Sequence, residues 1–157
     1  MLALVTTKIR AVFAEEQVLI ANDSAHLRQT LLQMAFRLFP HDGLPGGSYE
    51  EIAIHLVGRA SDDAAFAELL EAGVAALDEG SPTRWLERAE AQQLDGIKRV
   101  EGSGFFRLMR RTAIEHLYRN RDVWQLLGYQ GSSIEFGGYV DRGFDAIDWL
   151  PGESEEQ

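Results

Sequence analysis

Apolar positions recur along most of this chain at helical spacing, and the polar residues between them supply the stops. Leu27, Leu31, Met34 and Leu38 follow one another at steps of 4, 3 and 4, the spacing that lines one face of an α-helix. Asp23 or Ser24 can cap that helix, since either side chain can accept from an unpaired first-turn amide. Pro40 stops it, and the glycines and prolines of residues 41–48 predict a loop. Ser48 and Glu51 have the spacing of a capping box, which starts a second, short helix carrying Ile52, Ala53, Leu56 and Val57.

A third helix is expected from Ser61, with Asp62 and Asp63 well placed against the helix dipole and Phe66, Leu70, Gly73 and Leu77 along one face. Glu79 and Gly80 break it. Ser81 and Pro82 read as a cap followed by a first-turn proline, opening a new turn that carries Trp85. Leu94, Ile97 and Val100 mark a further helix, weakened by Gly96 at about 1 kcal/mol relative to alanine. The most regular pattern runs from Gly104 or Phe105 to about Arg119, with Ser103 available as its cap.

From Gly128 onward the periodicity is lost. Glycines (131, 137, 138 and 143) alternate with the aromatics Tyr129, Phe136, Tyr139, Phe144 and Trp149, which predicts an irregular wrap over a helical surface or a short hairpin. The expected fold is therefore all-α: a compact irregular helical bundle with an aromatic, glycine-rich C-terminal wrap. One domain spans 1–151, and the acidic residues 152–157 have the composition of a tail without fixed structure.

With 157 residues the chain is long enough for one substantial core. A net charge of −10 argues against nucleic acid and against an anionic membrane surface, both of which need excess Lys and Arg. The absence of cysteine excludes disulfides, thiolate metal sites and iron–sulfur ligation by this chain. No segment approaches the roughly 20 apolar residues of a membrane span, so direct insertion is not expected. Leu2–Val5 is too short for a signal core, and Lys8 and Arg10 follow it where they should precede it. The chain reads as cytoplasmic, with periplasmic residence requiring an escort or a leader outside this sequence.

Candidate chemistry is sparse. Glu51 and His55 sit four apart on one helix face, yet a metal site needs three or four ligands and no neighbour in sequence completes it. His41 and Asp42 could form an oriented imidazole, but no Ser or Cys nucleophile accompanies them. Arg111, Glu115 and Arg119, four apart, predict an exposed ion-pair ladder. Arg110 faces elsewhere and is the better partner contact. His116 borders the apolar face, where an imidazole donating to a backbone carbonyl is the default. Neither a phosphate-binding glycine loop nor a P-loop lysine is present. Catalytic, cofactor-binding and metal-ligating residues are therefore not assigned.

The segment GFFRLMRRTAIEHLYRNRDVWQLLGYQG, residues 104–131, resembles the signature region of the gluconate 2-dehydrogenase subunit 3 family. The shared features are the double aromatic opening a helix (Phe105, Phe106), Thr112 followed by Glu115, the aromatic Tyr118, and a Trp-x-x-Leu-Gly-aromatic-x-Gly close. Trp124, Leu127, Gly128, Tyr129 and Gly131 reproduce that close position by position. Upstream, Leu38 to Asp42 resembles the family's early helix exit, and the order of the Ala75–Asp78 helix end, Trp85 and Gln92 also fits, so the similarity runs over about residues 25–135. The chain departs from the pattern twice. Asn120 to Val123 is shorter than the family's glycine-rich loop, and the twin-arginine leader of many members is absent.

The resemblance implies a non-catalytic accessory subunit without a cofactor of its own. It would support a large FAD-binding subunit of a sugar or alcohol dehydrogenase, with a cytochrome as a further possible partner. On that reading Phe105, Phe106, Arg110, Trp124, Tyr129, Tyr139 and Trp149 are the candidate partner interface. Self-association is open. Two alternatives stand beside it: a stand-alone interaction domain that keeps the fold without an oxidoreductase partner, and a small enzyme using Glu51, His55 or Glu115 with His116.

Overall fold

The computed structural model describes residues 23–138, and every regular element among them is helical. The elements are α1 (23–38), α2 (Gly47–Asp62), α3 (Ala64–Asp78), a 3-10 turn (Trp85–Glu87), α4 (Glu90–Val100), α5 (Gly104–Leu117), α6 (Arg121–Leu126) and a second 3-10 turn (Ser133–Phe136). The chain is thus an all-α bundle over the described residues. The expected aromatics of the wrap, Tyr139, Phe144 and Trp149, lie outside them, as do the acidic tail and residues 1–22. Between 128 and 138 the chain forms turns and the 3-10 segment rather than a hairpin.

The core follows the apolar stripes. Leu31 and Met34 of α1 are fully buried, and Leu27 and Leu38 pack partly buried against them. On α3 the predicted face of Phe66, Leu70, Gly73 and Leu77 is buried together with Val74. Helix α3 packs against α2, α4 and α5, and α5 packs against α2, α3 and α4. The contact of α3 with α5 is close because residue 73 has no side chain. A Cβ there would fall 2.1 Å from Cγ of Phe105, well inside van der Waals contact.

Gly96 plays the same part for Trp85. A Cβ at 96 would lie 2.8 Å from the indole Cδ1 and Nε1, so the residue that costs helix propensity is the notch that admits the fully buried Trp85. Leu94, expected on this face, is 36% exposed, and the buried positions of α4 are Gln93, Gly96, Ile97 and Val100. The polar Gln93 can be buried because its whole amide is used. Its Nε2 donates to the carbonyls of Trp85 (3.2 Å) and Leu86 (3.1 Å), and its Oε1 accepts from Arg37 Nε at 2.8 Å. The indole of Trp85 in turn donates to the carbonyl of Gln93 at 3.0 Å.

Several helix boundaries differ from the sequence expectation, each for a local reason. Helix α2 begins at Gly47 with no side-chain cap. The Ser48 and Tyr49 amides donate to the carbonyls of Pro45 and Gly46, so the loop's own turn leaves nothing for a Ser48–Glu51 capping box. Ser48 is instead buried inside the first turn, while Glu51 is exposed. Helix α2 continues past Ser61 to Asp62, and Asp63 caps α3 by accepting from the Phe66 amide at 3.0 Å. Ser81 accepts from the Thr83 amide at 3.2 Å, and the expected turn carrying Trp85 is the 3-10 segment that starts at Trp85 itself. Helix α5 stops at Leu117, which leaves Arg119 beyond its end.

Candidate interaction surface

Ser103 starts α5 as expected, accepting from the Phe106 amide at 3.0 Å. Its buried positions, Phe105, Leu108, Met109, Thr112, Ala113 and Leu117, recur at helical spacing and fix which way the rest of the helix points. Phe105 is only 2% exposed and lies against Gly73, so its ring is core and is withdrawn from the candidate interface. Phe106 is partly buried against the same core, whereas Arg110 is exposed. Tyr139 and Trp149 lie outside the described residues.

Beyond α5 the chain turns into the short α6, which has a single buried residue, Val123. Asn120 caps it by accepting from the Asp122 amide at 2.8 Å. Trp124 is half-buried; its indole donates to the Tyr118 carbonyl at 2.7 Å, and its ring meets Tyr129 edge-on with centroids 5.2 Å apart. That Trp–Tyr corner leaves an apolar lip facing outward: Leu126 is 43% exposed, Leu127 51%, Tyr129 49% and Ile134 86%. The sequence reading found Trp124 and Tyr129 but missed Leu126, Leu127 and Ile134.

The histidines end up in three different settings. His26 Nε2 and Asp78 Oδ2 are 2.7 Å apart, and the other Asp78 oxygen accepts from the Trp85 amide at 2.7 Å. Both carboxylate oxygens are therefore engaged, and the dyad ties α1 to the end of α3. It borders an open cleft of about 520 Å3 floored by Leu27, Val74 and Ala75, with Arg84 and Asp23 3.8 Å apart at its edge. Sequence reasoning missed this pair because its partners stand 52 residues apart. His41 lies against Tyr118, with Nε2 3.1 Å from the phenol oxygen, a packed loop residue rather than an imidazole oriented by Asp42.

His116 was expected to donate to a backbone carbonyl. It faces His55 of α2 instead, ring centroids 4.6 Å apart and planes inclined by 51°. Burial holds the His116 imidazole below its ordinary pKa, and the adjacent His55 lowers it further. Glu51 and Glu115 pull the other way, and Arg119 adds to the lowering. The structure thus gathers Glu51, His55 and His116, although among the described residues no three such side chains converge on a metal position. The ladder of Arg111, Glu115 and Arg119 does not form: no ion pair links them among the described residues.

Among the described residues, no helix is long and apolar enough to cross a membrane. No family profile, curated protein or solved structure matches the chain.

Proposed function

We propose that this chain is a non-catalytic interaction subunit, and that its partner is the large FAD-binding subunit of a dehydrogenase acting on a sugar, polyol or related alcohol. The observation that carries the reading is the apolar lip of Leu126, Leu127, Tyr129 and Ile134. Large apolar side chains left exposed within one short stretch are characteristic of surfaces that meet another protein. The lip belongs to the same segment, 104–131 and its continuation, whose Phe-Phe opening and Trp-x-x-Leu-Gly-Tyr-x-Gly close resemble the dehydrogenase small subunits. The flavin and any cytochrome are assigned to partners, because this chain carries no phosphate-cradling glycine loop.

The test is co-purification with defined composition. Tagged protein from its native host should bring down a yellow, FAD-containing polypeptide in stoichiometric amount. The double change Leu127→Asp and Ile134→Asp should remove most of it while leaving the circular dichroism spectrum and melting temperature of the isolated chain unchanged. Recovery of no flavoprotein, or of equal amounts with the double variant, would overturn the assignment. In the first case a stand-alone interaction domain becomes the better reading.

A further inference from the structure

Basic side chains are treated differently in the two halves of this molecule. Residues 23–101 hold seven, and all seven have a partner. Arg28 pairs with Glu50, Arg37 with Glu90 at 3.1 Å, Arg84 with Asp23 at 3.8 Å and Lys98 with Asp95 at 3.4 Å. Arg59 lies over the Phe66 ring at 4.2 Å. Arg88 and Arg99 donate to the last carbonyls of α3, among them those of Leu77 and Glu79, where positive charge also suits the helix dipole.

The next five are Arg107, Arg110, Arg111, Arg119 and Arg121, and all five are exposed. Arg107 reaches the Gly102 carbonyl at 2.9 Å. The other four make no hydrogen bond, ion pair or ring contact among the described residues. The contrast runs against the overall charge of −10, since carboxylates are the commoner ions here. They are unevenly placed, however. Residues 23–101 carry fourteen acidic side chains against seven basic, net −7, whereas residues 102–138 carry three against five, net +2.

The exposed arginines are also arranged. On α5, Arg110 and Arg111 stand three and four residues after Arg107, so the three share one helix face, opposite the buried Phe105, Leu108, Met109 and Thr112. Ile114 and Tyr118 continue that face, partly buried and 37% exposed respectively. Arg119 and Arg121 carry the charge on into α6.

From this we infer that the outward face of α5, led by Arg110 and Arg111, is a docking surface for an acidic polypeptide segment of a partner protein. Guanidinium groups fork onto carboxylates with two parallel hydrogen bonds, and these arginines are paired with no carboxylate among the described residues. Ile114 and Tyr118 supply apolar contact between the charges. A polyphosphate chain would run past this short patch into the field of the acidic half, whereas a polypeptide can confine its carboxylates to the patch. The face exists independently of the subunit reading; only the identity of the partner that uses it rests on that reading.

The probe is a short biotinylated poly-L-glutamate peptide, titrated with the full chain at low and at physiological salt. Saturable binding that weakens with salt is expected. Arg110→Glu combined with Arg111→Glu should weaken it about tenfold or more, since like charges then face each other. Arg110→Lys with Arg111→Lys should retain most of it, and Lys98→Glu on the acidic half should change nothing. The fold of each variant is checked by circular dichroism. Absence of binding, or binding indifferent to the double reversal, overturns the inference. So does an oligo-dT strand that binds more tightly than polyglutamate through the same arginines. A flavoprotein that co-purifies equally with wild type and the Arg110→Glu, Arg111→Glu variant refutes this face as its docking site and leaves the subunit reading standing.

Discussion

Trp85 and Gln93 hold each other by reciprocal hydrogen bonds, the indole donating to the Gln93 carbonyl at 3.0 Å and the Gln93 amide donating back to the Trp85 carbonyl at 3.2 Å. The exchange seats the largest fully buried side chain of the described core on α4. Through Arg37 it also fastens α1 to the same point. Gln93→Leu keeps most of the volume and the backbone carbonyl that the indole uses, but removes the side-chain bonds, leaving the Trp85 and Leu86 carbonyls and Arg37 Nε short of partners. Urea denaturation should show a loss of about 2 kcal/mol. A loss under about 0.5 kcal/mol, within the range of ordinary surface changes, would mean the exchange contributes little.

The notch at residue 73 makes a sharper prediction. Gly73→Ala forces a methyl into the Phe105 ring, and overpacking of this kind costs about 1–3 kcal/mol. Combined with Phe105→Ala, which removes the Cγ, Cδ1 and Cδ2 atoms that the new methyl would meet, the two changes should cost less than the sum of their separate effects. A double-mutant cycle measures that coupling directly. Strict additivity would contradict the contact.

Thr30 is fully buried, and its hydroxyl is without a hydrogen-bond partner among the described residues. Thr30→Val replaces that hydroxyl with a methyl of nearly the same shape. The midpoint of urea unfolding should rise, by about 1 kcal/mol of stability, because an unpaired buried hydroxyl is unfavourable. A fall would show that the hydroxyl has a partner.

Stability should also depend on pH through His116. Its folded pKa is lowered by burial first and by His55 second. The unfolded chain, with an ordinary histidine pKa of about 6.5, therefore takes up the proton more readily. The contribution is fully present above that value and is lost as pH falls below it. His116→Asn should flatten this part of the stability–pH profile. By NMR, His55→Asn should raise the His116 pKa, while Glu51→Gln should lower it further. A His116 ring titrating at or above the ordinary value would exclude the arrangement.

Helix α6 is held by Val123 and by the Trp124 indole on the Tyr118 carbonyl. Trp124→Phe removes that bond at a cost of about 1 kcal/mol. Amide exchange should quicken across residues 121–127 while α5 stays protected, because local opening needs only the local contacts. Uniform acceleration through α5 would show that α6 unfolds only with the bundle.

Much of the bundle was legible because stripes such as Phe66, Leu70, Gly73 and Leu77 repeat at the period of the helix itself. The helix starts were less so. Ser48 has the right residue type and spacing for a cap, yet the Pro45–Gly46 turn already takes its own amide and that of Glu50, and the helix starts one residue before it. Backbone turns of that sort leave a fainter mark on sequence than side-chain caps do. The site residues divide similarly. Trp124 and Tyr129 stand out by type, whereas His26 with Asp78 and His55 with His116 become pairs only through tertiary contact. Phe105 misleads for the opposite reason: its neighbour Phe106 looks identical in sequence, and only the helix's direction assigns one ring to the core.

The fit of Phe105 over Gly73 also has a hereditary meaning. Residue 73 cannot enlarge freely on its own, since a side chain there without a smaller residue at 105 drives a methyl into the Phe105 ring. Two sites 32 residues apart therefore form one unit of variation. Any descendant of this chain that carries a larger residue at 73 should carry a smaller one at 105, and that paired exchange would trace its kinship even where the surrounding residues have changed beyond recognition.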